Sequence, residues 1–71
     1  MDPLTMTTLE YQESKAIRVA GGIPILNARD RREHEKLVVK ALDEGKEVAP
    51  RTLKSLGRYF CGTHGIDYET L

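Results

Sequence analysis

The stretch NARDRREHEKLVVKALDEG, residues 27–45, decides the fold. Leu37, Val38, Ala41 and Leu42 recur at helical spacing, so one side of this segment is apolar and the rest is charged. Asn27 is a good N-cap, and Asp30 falls in the first turn, where the helix dipole favours negative charge. Gly45 supplies the stop. The pattern predicts a helix over residues 28–44. Arg29 with Glu33, Arg31 with Glu35 and Lys40 with Glu44 are opposite charges four apart and are expected to pair on its exposed side. His34 projects into the apolar arc one turn before Val38, and reads as a partly buried, hydrogen-bonded histidine.

Upstream, residues 7–20 form a first helix. Thr7 with Glu10 three residues on has the capping-box pattern. Leu9, Ala16 and Ala20 share one face, flanked by Ile17 and Val19, although Glu13 interrupts that arc. Gly21-Gly22 is the expected stop. Residues Ile23–Leu26 are extended, because Pro24 disfavours helix at Ile23. They read as either a buried connector or a short edge strand.

Downstream, residues 50–61 form a third helix. Pro50 suits its first position, where a missing N–H is no loss, and Val48 with Leu53 has staple spacing. Leu53, Leu56 and Phe60 make its apolar stripe. Gly57 lies inside it, where it either kinks the helix or admits another backbone. Gly62 is expected to end it. Asp67 starts a short turn over residues 67–71, with Ile66, Tyr68 and Leu71 available to cover the core. The architecture is mainly all-α: a small three-helix domain over residues 1–71, with an extended Ile23–Leu26 connector and a short C-terminal turn.

Composition narrows the function classes. A chain of 71 residues supports one small core and little material for a substrate cleft. Lys plus Arg equals Asp plus Glu, 11 each, so no global field draws the chain onto nucleic acid or an anionic membrane. The longest uncharged stretch, residues 19–28, is broken by Gly21, Gly22 and Pro24 and falls well short of the roughly 20 residues of a membrane span. The single cysteine, Cys61, has no internal disulfide partner, and no signal-peptide pattern opens the chain; a cytoplasmic location is the expectation. Cys61 and His64 form one Cys-x-x-His pair, with His34 elsewhere, whereas zinc sites need about four ligands. No metal, no cofactor and no enzymatic activity are expected.

Two basic clusters remain. Arg51, Lys54 and Arg58 fall on one side of the third helix, opposite its apolar stripe, with Tyr59 between the two. Arg29, Arg31 and Arg32 crowd the start of the second helix, where positive charge opposes the dipole. Arginine and tyrosine suit protein interfaces. These seven residues are the candidate partner-binding set, and the expected function is a non-enzymatic regulator, inhibitor or assembly subunit that docks on an acidic patch of a larger protein. The run from Pro50 to Phe60, a turn at residues 61–65 and a new helix from Ile66 resembles helix-turn-helix DNA-binding domains. That resemblance implies nucleic acid as the alternative partner, although the chain ends at Leu71, too soon for a full recognition helix. Homodimerisation fits both readings.

Overall fold

Thr7 closes its capping box as its spacing predicts. Its hydroxyl accepts from Glu10 N–H at 3.2 Å, and the Glu10 carboxylate accepts from Thr7 N–H at 2.8 Å. Helix α1 runs from there over Thr8–Lys15 in the computed structural model, which describes residues 2–18 and 24–71.

α1 is shorter than the expected 7–20 helix. Ala16 is its C-cap in an extended conformation, and the chain passes into strand β1, Ile17–Arg18. The buried side of α1 is Thr8 and Tyr11, while Leu9 is 52% exposed. Leu9 is therefore not a core residue, and Val19 and Ala20, expected on or beside its face, lie outside the described residues. Tyr11 is buried instead, lying flat on His34, with ring centroids 4.6 Å apart. The Gly21-Gly22 stop lies outside the described residues. Strand β2, Pro24–Ile25, pairs antiparallel with β1, Ile17 opposite Ile25 and Arg18 opposite Pro24. Of the two readings of Ile23–Leu26, the strand holds for Pro24–Ile25 and the buried connector does not: Ile25 and Leu26 are exposed.

Helix α2, Ala28–Asp43, matches its expected span to one residue and is capped by the Asn27 side chain. Its end is a Schellman motif, with Lys46 N–H on Ala41 C=O at 2.8 Å and Gly45 N–H on Leu42 C=O at 3.1 Å. His34, Val38 and Ala41 are its buried side.

The expected third helix is two helices, α3 (Pro50–Ser55) and α4 (Arg58–Thr63). Gly57 separates them at φ 97°, ψ 164°, a region essentially closed to residues with a Cβ. Gly62 does not end α4. The chain turns at Gly65, φ 70°, in a second Schellman motif with Ile66 N–H on Cys61 C=O at 2.8 Å. A 3₁₀ turn, Tyr68–Thr70, follows, capped by Asp67. The fold is mostly helical, with one two-residue ladder as its sheet.

One core joins α2, α3 and α4. Val38, Ala41, Val48, Leu53, Leu56, Phe60 and Cys61 are buried together, and Leu4, Ile66, Tyr68 and Leu71 pack at their margin. Residues 2–7, which carried no expectation beyond the Thr7 cap, lie as a strap across α2 and α3. Pro3 C=O accepts from His34 Nε2 at 2.8 Å. Leu4 C=O accepts from Ala49 N–H at 2.9 Å and from the Thr52 hydroxyl at 3.1 Å. Just beyond the strap, Thr8 N–H donates to Ser55 Oγ at 2.9 Å, joining the start of α1 to α3.

The break at Gly57 gives a direct test. No atom lies within 4 Å of a Cβ built there, so Gly57→Ala strains the backbone without a collision. It is expected to destabilise by about 1–3 kcal/mol in urea unfolding. D-alanine at position 57, introduced by chemical synthesis, reaches positive φ without strain and should leave stability unchanged. Equal losses from both enantiomers would refute the backbone explanation.

Candidate functional site: the outward face of α2

α2 is packed on one side only. Along it, Arg29, Arg31, Arg32, Glu35, Lys36, Leu37, Lys40 and Asp43 are exposed. The charged members are five cations against two carboxylates, an excess of three positive charges on a molecule whose formal net charge is zero. At about 100° per residue, Arg29, Arg32, Lys36 and Lys40 share one stripe directed away from His34 and Ala41. Arg31 lies off the stripe, on its Glu35 side. A shallow groove beside the stripe is lined by Arg32, Glu35, Lys36, Val39, Lys40 and Asp43, and half-buried Val39 gives it an apolar floor.

None of the expected pairs along α2 forms. Among the described residues the ion pairs are Lys15–Glu33, Lys46–Glu44, Arg51–Glu10 and Arg58–Glu69. Glu33 is engaged from α1 instead: it accepts from Lys15 Nζ at 2.5 Å and from the Tyr11 hydroxyl at 2.6 Å. These donors hold the Glu33 carboxyl below its ordinary range, Lys15 first and Tyr11 second. The Lys15 ammonium is held above its own range, chiefly by Glu33. Burial, then Glu33, raises the Tyr11 phenol. Glu10 is likewise lowered, first by Thr7 N–H and then by Arg51. The stabilisation from both carboxylates is complete above the unfolded carboxylate value and is lost as pH falls through their depressed folded values.

Three of the other four candidates are engaged within the molecule. Arg51 pairs with Glu10 at 3.0 Å and donates to Thr5 C=O. Arg58 pairs with Glu69 and lies 4.8 Å from the centre of the Tyr68 ring, and Lys54 approaches the same ring at 5.7 Å. The structure thus brings Lys54 and Arg58 together over Tyr68 and sends Arg51 elsewhere. Tyr59 is 86% exposed on α4. The segment resembling a helix-turn-helix holds α3 and α4, of six residues each, and no helix from Ile66 beyond the 3₁₀ turn.

Lys36 and Lys40 join Arg29 and Arg32 as candidates only once the exposed side of α2 is seen. Their signal was readable: with Arg29 and Arg32 they recur at i, i+3, i+7 and i+11. It was masked because Lys40 was assigned to Glu44, which instead lies 3.8 Å from Lys46.

The thiol of Cys61 is buried, donates to Leu53 C=O at 3.3 Å, and is raised by that burial. His64 is exposed and lies against Phe60, ring centroids 4.4 Å apart. Among the described residues, no three His, Cys, Asp or Glu side chains gather as a metal site. No described helix is long and apolar enough to cross a membrane. Comparison with protein-family models, curated proteins and solved structures gives no match.

Proposed function

We propose that this chain is a non-enzymatic docking module that presents the outward face of α2 to an acidic surface of a larger protein, as a regulator, inhibitor or assembly subunit. One observation carries the reading: Arg29, Arg32, Lys36 and Lys40 lie on one exposed stripe with no intramolecular ion pair among the described residues.

Two neighbour pairs within that stripe work against folding. Arg32–Lys36 and Lys36–Lys40 are like charges four apart, each destabilising a helix by about 0.2–0.5 kcal/mol. Arg29 and Arg31 also oppose the dipole at the N-terminus of α2. Charges that weaken the free molecule are accounted for when they gain partners in a complex.

Lys36→Glu converts both repulsive pairs into attractive ones, offset in part by repulsion from Glu33 three residues earlier. It is expected to raise stability by about 0.5–1 kcal/mol at low salt, less at high salt, while it weakens docking. Urea midpoints at two ionic strengths measure the first effect, and a destabilised variant would show that Lys36 serves the fold.

Site-specific photo-crosslinking in the chain's own cells tests the docking itself. A photoreactive residue at position 35, exposed beside the stripe, should give a discrete protein adduct. The same residue at Glu47, exposed beyond the end of α2, should not, and the adduct should vanish when Arg32 and Lys40 are reversed to glutamate. Equal labelling from both positions, no adduct at all, or an adduct to nucleic acid would overturn the proposal.

A further inference from the structure

The geometry points to an acidic amphipathic helix as the partner element, laid lengthwise along the α2 stripe; this rests on the docking reading above and names the chemistry of its partner.

The spacing is the first argument. From Arg29, the successive cations Arg32, Lys36 and Lys40 lie about 4.5, 10.5 and 16.5 Å along the helix axis. A helix with carboxylates at i, i+3, i+7 and i+11 repeats that ruler and meets all four charges at once. An extended strand places same-side residues about 6.8 Å apart, so it drifts about 4 Å out of register over the same span.

The surroundings are the second argument. Glu35 flanks the stripe and Asp43 closes its C-terminal end. A narrow row of partner carboxylates fits between them. Duplex nucleic acid would bring a broad field of phosphates onto those two acids as well, and the neutral molecule offers no wider field to offset this. A second copy is also disfavoured. Two stripes meeting antiparallel about Lys36 set Lys36 against its equivalent and Arg32 against Lys40, with only Arg29 and Asp43 matched. The groove floor at Val39 asks for one small apolar side chain among the partner's carboxylates.

The test uses a synthetic alanine-based helical peptide with glutamates at i, i+3, i+7 and i+11. A control of identical composition has the glutamates spread around the helix. Fluorescence anisotropy at low ionic strength should show the striped peptide binding about tenfold more tightly than the control, with the preference lost in the triple variant Arg32→Glu/Lys36→Glu/Lys40→Glu. All three positions are exposed, and circular dichroism checks that the variant keeps its helices. A peptide with lysines at the four positions should bind the triple variant and not the natural chain.

Equal binding of striped and scattered peptides, or none, overturns the helix assignment. So does tighter binding of a labelled DNA duplex, or sedimentation showing a dimer that the triple variant abolishes. The crosslinking result at position 35 is independent of these outcomes. An adduct there without peptide preference removes the acidic helix and keeps the docking face, whereas no adduct removes both.

Discussion

Phe60→Ala is expected to remove about 3–5 kcal/mol of stability, the range for emptying a buried aromatic site. A domain of this length has about 4–11 kcal/mol in total, so the variant should be substantially unfolded at physiological temperature. Phe60 is the chain's only phenylalanine and is buried from α4 among Val38, Leu53, Leu56 and Cys61. Its site has little means of collapse, because Gly57 and the Gly65 turn fix both ends of α4. Phe60→Leu, which refills most of the volume, should retain a cooperative transition. A loss below about 1 kcal/mol for the alanine variant, by denaturant unfolding, would mean that Phe60 is not at the centre of the core.

His34→Leu should have the next largest effect, about 2–4 kcal/mol. His34 has no exposed surface. Because a carbonyl only accepts, the 2.8 Å contact with Pro3 C=O requires the proton on Nε2, which leaves Nδ1 to face the Thr8 hydroxyl at 3.4 Å. Leucine deprives Pro3 C=O of its donor, a loss of about 1–3 kcal/mol, and removes the Tyr11 stack, about 0.5–1.5 kcal/mol. Glutamine returns an N–H donor to the site, so His34→Gln should recover part of the deficit. If glutamine and leucine destabilise equally, shape rather than the hydrogen bond explains the position.

Local chemistry made much of this fold legible. Asn27 and Gly45 bracket α2, Thr7 and Glu10 start α1, and Pro50 opens α3, each through a bond or constraint spanning only a few residues. The errors arose where a distant contact decides. Tyr11 has no part in the apolar face read for the first helix until His34, 23 positions later, offers it a ring to lie on. Glu33 reads as a partner for Arg29 until Lys15 and Tyr11 reach it from another helix. Gly57 was identified as a weak point, but the depth of the break depends on α4 turning Phe60 and Cys61 into the core.

The candidate face was half legible for the same reason. Arg29, Arg31 and Arg32 stood out as misplaced charge. The separation of Arg51, Lys54 and Arg58 into two internal contacts needed Glu10, Tyr68 and Glu69 in space.

Beside the buried Met6 and the packed Leu4 side chains, the N-terminal strap is gripped through main-chain oxygens at Pro3, Leu4 and Thr5, which any amino acid would offer. Mutational tolerance across that contact should therefore be lopsided. Exchanges on the accepting side, at position 5 for instance, leave the grip intact, whereas the donating side at His34 and Thr52 admits few replacements. A library randomised at Thr5, His34 and Thr52 would diversify at the first position and stay nearly fixed at the other two.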